Sequence, residues 1–338
     1  MTANAAALLR QHYVDNFRRL PWRAAPDEPP PEPYRVWLSE IMLQQTTVAA
    51  VTGRFGRFVE RWPTVEALAA ARDEDILGEW AGLGYYARAR NLIACAREIV
   101  RRRAFPSTSA ELITLPGLGA YTSAAIAAIA FGERAAVVDT NVTRVIARLH
   151  ALENPAARGV RELMLAMTPA ERPGDFVQAM MDLGATICRP KAPACPKCPL
   201  GCLCAAFASG APEAFPAPKA KRLRPLRHGT AWWTERDGAV WLVRRPSKGL
   251  LGGMAALPGS DWSPEPRRAS SASLGTVRHV FTHFALDLTI EQSDQRPEGG
   301  WWQEIDRLDE AGLPSLYRRA AQVALGDAAA LDEPRTAP

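Results

Sequence analysis

No stretch of this 338-residue chain approaches the ~20 consecutive apolar residues that a bilayer-spanning helix needs. Its opening, MTANAAALLRQHY, holds no long apolar segment followed by a cleavage site, so neither membrane insertion nor secretion is expected. Cysteine is scarce and unevenly placed: of six, five fall between positions 188 and 204. That clustering argues against a disulfide framework spread over a secreted domain and for a metal site in a reducing compartment. Before residue 229 there is little apolar–polar alternation, so the first two-thirds of the chain is expected to be all-α. No internal repeat is visible. Acidic residues are absent between Glu213 and Glu235, while Lys219, Lys221, Arg222, Arg224 and Arg227 lie there. The formal charge of +5 is mild evidence for a polyanionic partner.

What is present divides by pattern. A hydrophobic content of 47% is ample for packed cores, and the length suggests two or three domains. Residues 2–19 can form a helix, followed by Leu20-Pro21-Trp22-Arg23 and a proline-rich loop over 26–33. Residues 36–50 read as one helix, with Trp37, Ile41 and Val48 at helical spacing and polar Glu40, Gln44 and Gln45 among them. Shorter helical segments run to Arg103, broken at Trp62-Pro63 and at Gly82-Leu83-Gly84; residues 158–167 and 173–187 complete the series.

The stretch 115–142 organises this half. Leu115-Pro116-Gly117-Leu118-Gly119 reads as a hairpin between two helices, the second over 120–131 and ended by Gly132. Gly117 and Gly119 leave bare N–H groups beside a helix N-terminus, where an anion is attracted. The turn is either an ordinary interhelical connection or a seat for phosphate. Asp139, where the next helix should begin, is either a simple N-cap or an acid placed for chemistry.

Cys188, Cys195, Cys198 and Cys204 give C-x6-C-x2-C-x5-C. Zinc sites usually show two close knuckles, and here only one pair is close. The four corners of a cubane cluster tolerate wider gaps, so spacing favours 4Fe–4S over zinc. Cys202 is an alternative to Cys204, and Cys95 reads as a core residue. Arg189, Lys191 and Lys197 either meet phosphates or keep the loop soluble. Residues 205–228 read as a basic interdomain linker, either a flexible tether or one that follows a phosphate backbone. Beyond it, β-prone runs at 229–234 and 239–244 flank a turn at Asp237-Gly238. Further strands over 277–290 and a closing helix over 313–325 make a small α+β domain, 229–326, followed by a frayed tail, 327–338.

LPGLGAYTSAAI, then VVDTNV, then the cysteine spacing together resemble the helix-hairpin-helix DNA glycosylases of the endonuclease III superfamily. Four further segments are similar to its MutY-type adenine DNA glycosylases: LPWR at 20–23, WLSEIMLQQT at 37–46, GLGYYARARN at 82–91 and QAMMDLGA at 178–185. The resemblance is close over about 8–204 and looser beyond. It implies a multi-domain protein: an all-α glycosylase core over 1–204 with an iron–sulfur cluster loop, plus the C-terminal α+β Nudix-like domain. Within the core it implies a six-helix barrel module (about 24–130) and an iron–sulfur module (1–23 and 131–204).

The implied activity is removal of adenine mispaired with 8-oxoguanine or guanine in double-stranded DNA, by a monomer that is cytoplasmic and nucleoid-associated if bacterial. Breaking an N-glycosidic bond calls for one carboxyl to protonate the leaving base and one carboxylate to stabilise the sugar cation. The resemblance gives Glu40 the first task, with burial near Trp37 and Tyr121 expected to raise its pKa. It gives Asp139 the second, and Asn141 the positioning of sugar or catalytic groups. Tyr121 stands where lyase-active relatives carry a lysine, so no Schiff base and no efficient strand scission are expected. Trp22, Arg23 and Gln178 are implied walls of the adenine pocket. Gln44, Gln45, Tyr85, Arg88, Gly117 and Gly119 are implied DNA contacts, some of them filling the gap left by the extruded base. Arg88 and Arg90 either touch phosphate or stabilise the fold.

SKGLLGGM at 247–254 and ALPG at 256–259 resemble Nudix elements, but the R-E-x-x-E-E metal helix is missing, so no pyrophosphohydrolase activity is expected. Phe281-Thr282-His283 resembles the 8-oxoguanine-sensing F-S-H loop, with threonine in place of serine. Two other readings compete. A pyrimidine glycosylase/lyase like endonuclease III is disfavoured by Tyr121 and the C-terminal domain. A non-catalytic iron–sulfur DNA-binding or electron-transfer protein is disfavoured by the pairing of Glu40 with Asp139.

Overall fold

Twelve helices in the first two-thirds of the chain, among the described residues, answer the expectation of an all-α half. The structure, a computed structural model, describes residues 2–26, 28–80, 82–218, 224–246, 249–266, 270–281 and 283–326. Lys219, Lys221, Arg222, the Ser247-Lys248 start of the SKGLLGGM motif, Thr282 and the 327–338 tail lie outside these. Contacts divide the chain into two units, Met1–Lys219 and Ala220–Pro338, each with its own hydrophobic core.

The first unit runs α1 (Thr2–Asp15), α2 (Pro33–Leu43), α3 (Val48–Arg61), α4 (Val65–Ala70), α5 (Asp73–Glu79), α6 (Tyr86–Arg102), α7 (Ser109–Leu112), α8 (Ala120–Phe131), α9 (Thr140–Leu149), α10 (Ala157–Met167), α11 (Pro173–Asp182) and α12 (Ala205–Ala208). Local signals set many of these ends. Pro33 opens α2 at a position with no amide to lose. Thr47, Thr64 and Thr108 cap α3, α4 and α7 through their side chains. α8 is apolar on every side and is correspondingly central: it packs against α2, α7 and α11. Trp37, Trp80, Phe55, Phe58 and Phe176 are the largest fully buried side chains of this unit. Cys95 is core, as its helix position suggested, and accepts a hydrogen bond from Trp37 Nε1 at 3.2 Å.

Two expected helices are interrupted, both at the site described below. The single helix expected over 36–50 breaks after Leu43, because Gln45 takes a left-handed φ of 56° and Thr47 starts α3. The helix expected over 173–187 ends at Asp182 and widens into a π-turn, Leu183–Ile187.

The second unit contains β1 (Leu226–Trp233), β2 (Glu235–Arg236), β3 (Ala239–Arg244), β4 (Ala255–Ala256), β5 (Ser273–Val280), β6 (Ala285–Gln292), β7 (Trp301–Glu304) and α13 (Ser315–Ala324). Asp237 and Gly238 both have positive φ, as a tight hairpin turn requires, but the hairpin joins β2 to β3. β1 instead runs parallel to β6, with Leu226 opposite Ala285 and Trp233 opposite Gln292. β5 completes that sheet antiparallel to β6, while β3 pairs with β2, β4 and β7 in the other. α13 packs on β5, β6 and β1. Among the described residues no helix is long and apolar enough to cross a membrane.

Candidate active site

α2, α8 and α9 bring three titratable side chains into one electrostatic group. Glu40 lies on the buried face of α2 and is 8% exposed. Burial pushes its carboxyl up to about 7; the nearby Arg23 cation opposes that rise and the Asp139 carboxylate adds to it. Tyr121, on the first turn of α8, is held well above its ordinary value by burial, then by Glu40 and Asp139. Its hydroxyl donates to the Met181 sulfur, at 3.8 Å. Glu40, Asp139, Tyr121 and Arg23 therefore share one interior field, with the two carboxyls facing each other's influence.

Asp139 is also the N-cap of α9. Its Oδ1 accepts from the Val142 amide at 2.6 Å and its Oδ2 accepts from Asn141 Nδ2 at 3.1 Å. Asn141 is oriented in turn by Arg144, which donates to Asn141 Oδ1 at 2.9 Å, to the Gly184 carbonyl and to the Cys188 carbonyl. Gly184 belongs to the π-turn and presses on Asn141: a Cβ there would lie 2.9 Å from the Asn141 Cβ. π-turns recur at functional sites. The buried Arg144 and Arg148 were not anticipated from the sequence, although two arginines four apart on an otherwise apolar helix face are a visible signal.

The implied adenine pocket is distributed. Arg23 pairs through both nitrogens with Asp182 (2.6 and 3.0 Å), which also binds Arg18. Trp22 is 6% exposed and packs edge-on against Phe55 at 5.2 Å. Gln178 is buried, donates to the Gly174 carbonyl at 3.3 Å, and lines a cavity with Ala24, Pro30, Ile129 and Pro173. Glu40 and Asp139 are not among that cavity's walls.

Cys188, Cys195, Cys198 and Cys204 line a single cavity with Leu183, Leu200 and Phe207. Cys202 is exposed and outside it, so the fourth thiol facing the cavity is Cys204. Burial, then the neighbouring Cys204 and Cys188 thiols, push Cys195 upward. Among the described residues no three His, Cys, Asp or Glu side chains are gathered as a single-ion site. The four sulfurs face one apolar cavity, an arrangement with the donors a thiolate-held metal centre needs. Arg148 also lines this cavity. It donates to Cys188 Sγ (3.5 Å) and to the Arg189, Pro190 and Phe215 carbonyls, and its own carbonyl lies 3.3 Å from Cys204 Sγ.

On the hairpin, Gly117 has φ 77° and an added Cβ would lie 2.6 Å from the Asn91 Cβ, so glycine is needed twice over. Gly119 is the N-cap of α8 and makes no side-chain cap; the space around it is open. Gln44 Nε2 donates to Thr122 Oγ1 at 3.2 Å, tying the end of α2 to the first turn of α8. Tyr85 is 57% exposed at a left-handed φ of 49°. Arg88 departs from the phosphate contact expected of it: it is buried and its guanidinium is taken up by protein acceptors, the stabilising alternative. Burial lowers it to about 10.

In the second unit, Phe281 and His283 sit in the 281–284 turn between β5 and β6 rather than within a strand. His283 is exposed and Phe281 half-buried. Phe281 stacks on Trp262 (5.6 Å, 25°) and touches Phe284 and His279. Trp262, which nothing in the sequence singled out, is seated against Gly229, where a Cβ would lie 2.5 Å from its ring.

The chain is similar to known proteins in both units. The family model described as HhH-GPD superfamily base excision DNA repair protein matches residues 38–169, and a NUDIX domain model matches 229–323. The chain is 36% identical to the adenine DNA glycosylase of Homo sapiens over 96% of this chain and 74% of that one. It is 42% identical to the adenine DNA glycosylase of Mycobacterium tuberculosis over 56% of this chain and 63% of the relative. Among solved structures it resembles a thermostable thymine-DNA glycosylase, with a TM-score of 0.56 and 29% identity, over 61% of this chain and 95% of that one.

Proposed function

The chain belongs to the adenine DNA glycosylase family, and from that membership we propose how its residues remove adenine opposite 8-oxoguanine or guanine in base excision repair. The adenine leaves the stack before its glycosidic bond is reached. Gln44, Gln45 and Tyr85 occupy the gap, and the amides beside Gly117 and Gly119 hold a backbone phosphate.

Glu40, protonated, donates to N7 of the extruded base. The N9–C1′ bond then breaks with its electron pair leaving on adenine, and positive charge develops on the sugar. Asp139, held in place by its two donors, faces that charge. Asn141, oriented by Arg144, holds the carboxylate. Water adds at C1′ and gives up a proton, which restores the acid. Tyr121 offers no amine for a Schiff base, so base removal proceeds without strand scission. Trp22, Arg23 and Gln178 are assigned to the walls of the base pocket, and Trp22 and Gln178 are buried.

The Cys188, Cys195, Cys198 and Cys204 thiols would hold a 4Fe–4S cluster, which when bound supplies cross-linking that orders the 188–204 loop. Phe281 and His283 are assigned to sensing 8-oxoguanine; Thr282, their partner in that motif, lies outside the described residues.

The observation that carries the reading is a buried Glu40, raised to about 7 by burial and further by the charge of Asp139. Single-turnover excision from a duplex with adenine opposite 8-oxoguanine tests it. The wild type should cleave the bond, and Glu40→Gln should lose activity by roughly a thousandfold or more while still binding the duplex. A near-normal rate in that variant would remove Glu40 from the mechanism. Borohydride should trap little covalent DNA complex, and efficient trapping would restore the lyase alternative.

A further inference from the structure

Arg88 lies in the first turn of α6, three residues after Tyr85, and its head group points inward. Nη1 donates to the carbonyls of Ile41 (3.3 Å), Met42 (3.0 Å) and Gln44. Nη2 donates to Thr46 Oγ1 (3.0 Å) and to the carbonyls of Leu83 (3.0 Å) and Gly84 (3.4 Å). These six acceptors are uncharged and come from only two places: the end of α2 with its 44–46 turn, and the 83–84 turn before α6. The ring of Trp80 lies 5.4 Å from the guanidinium carbon and that of Tyr85 5.3 Å.

Each of the two segments carries one non-glycine residue in the left-handed region, Gln45 at φ 56° and Tyr85 at φ 49°. Such conformations persist only where the surroundings over-determine them. The last carbonyls of a helix have no partner within it; at the end of α2, Arg88 supplies one from another helix.

We propose that Arg88 is a positioning residue for base extrusion, fastening the 44–46 and 83–85 segments together so that Gln45 and Tyr85 enter the duplex as one preset wedge. The proposal rests on the base-flipping function set out above. Two independent loops would each have to be ordered during unstacking; joined beforehand, they need no such ordering. The task suits arginine and not lysine. A planar fork reaches two loops and offers flat faces to Trp80 and Tyr85, whereas an ammonium is a single point with three donors.

The test uses the full-length protein and a duplex carrying 2′-fluoro-2′-deoxyadenosine, which resists excision, opposite 8-oxoguanine, with 2-aminopurine as its neighbour. Duplex affinity, its salt dependence and the fluorescence rise on unstacking are measured for wild type, Arg88→Lys and Thr46→Val, with thermal midpoint and iron content recorded for each. Arg88→Lys should bind within about threefold of wild type with an unchanged salt slope, and lose roughly tenfold in single-turnover excision from the natural substrate. Its unstacking signal at saturation should fall in step. Thr46→Val, which removes one acceptor and no charge, should move the signal in the same direction by about twofold.

Arg88→Met, which removes the charge, separates the alternative: a loss of affinity there with a salt slope lower by about one, and normal unstacking at saturation, would make Arg88 a phosphate contact instead. Should Arg88→Lys fail to fold, Thr46→Val decides: a wild-type signal there overturns the clamp. A wild-type protein that neither excises adenine nor unstacks the neighbour sinks the underlying function and the clamp with it. Active wild type beside variants that match it sinks the clamp alone.

Discussion

Glu40 and Asp139 divide one electrostatic problem between them. Glu40 is raised to about 7 by burial, against the opposing pull of Arg23. Asp139 has donors on both oxygens. Because the protonated form of Glu40 is the acid, excision should slow as pH rises through about 7. A single-turnover rate that is flat from pH 6 to 9 would contradict this. Stability follows the same sign. Below the ordinary glutamate value of 4.5 both folded and unfolded chains are protonated, and the contribution is fully present. Between 4.5 and about 7 the unfolded chain ionises first, so stability falls with rising pH until the folded carboxyl has ionised too. The whole loss is on the order of 3 kcal/mol. Glu40→Gln escapes it, so its melting temperature should exceed that of wild type by more at pH 8 than at pH 5. The upward push on Glu40 was legible from its place among apolar residues of one helix. Arg144 and Arg148 were not, because a buried arginine is recognised by the carbonyls around it, and those lie more than thirty-five residues away in sequence.

At the scale of elements, the hairpin and α8 were legible to the residue, since proline, paired glycines and an alanine-rich run are local signals. The breaks after Leu43 and Asp182 were not, because tertiary contacts overrule helix propensity there: Arg88 grips the 41–46 carbonyls, and the π-turn packs Gly184 on Asn141. The hairpin gives a direct prediction. Gly117→Ala requires a side chain at φ 77° and a Cβ 2.6 Å from Asn91. Both strains should destabilise the unit, by about 1–3 kcal/mol. Duplex affinity should weaken as well, since the hairpin amides would shift. Gly119→Ala, where the Cβ meets nothing, should lose much less stability in the same melting experiment.

At the scale of the molecule, two cores divide the labour, one around α8 and one around the β1-β6-β5 sheet with α13. If Phe281 and His283 sense the lesion, Phe281→Ala with His283→Ala should erase most of the preference for 8-oxoguanine over guanine while excision of adenine opposite guanine persists. An unchanged ratio of the two rates would end that assignment. The two-part plan was legible from the change in periodicity at residue 229, but the parallel pairing of β1 with β6 was not: register between distant strands leaves no local mark. That pairing also has a consequence during synthesis. Leu226 leaves the ribosome about sixty residues ahead of its partner Ala285, a wait of roughly 3–12 seconds at ~5–20 residues per second. For that interval the nascent β1, with Trp232 and Trp233 at its end, lacks its β6 partner, although the 258–263 segment that bridges it antiparallel emerges earlier. Chaperone demand, and any tendency of the newly made chain to aggregate, should centre on this segment and not on the helical half that precedes it.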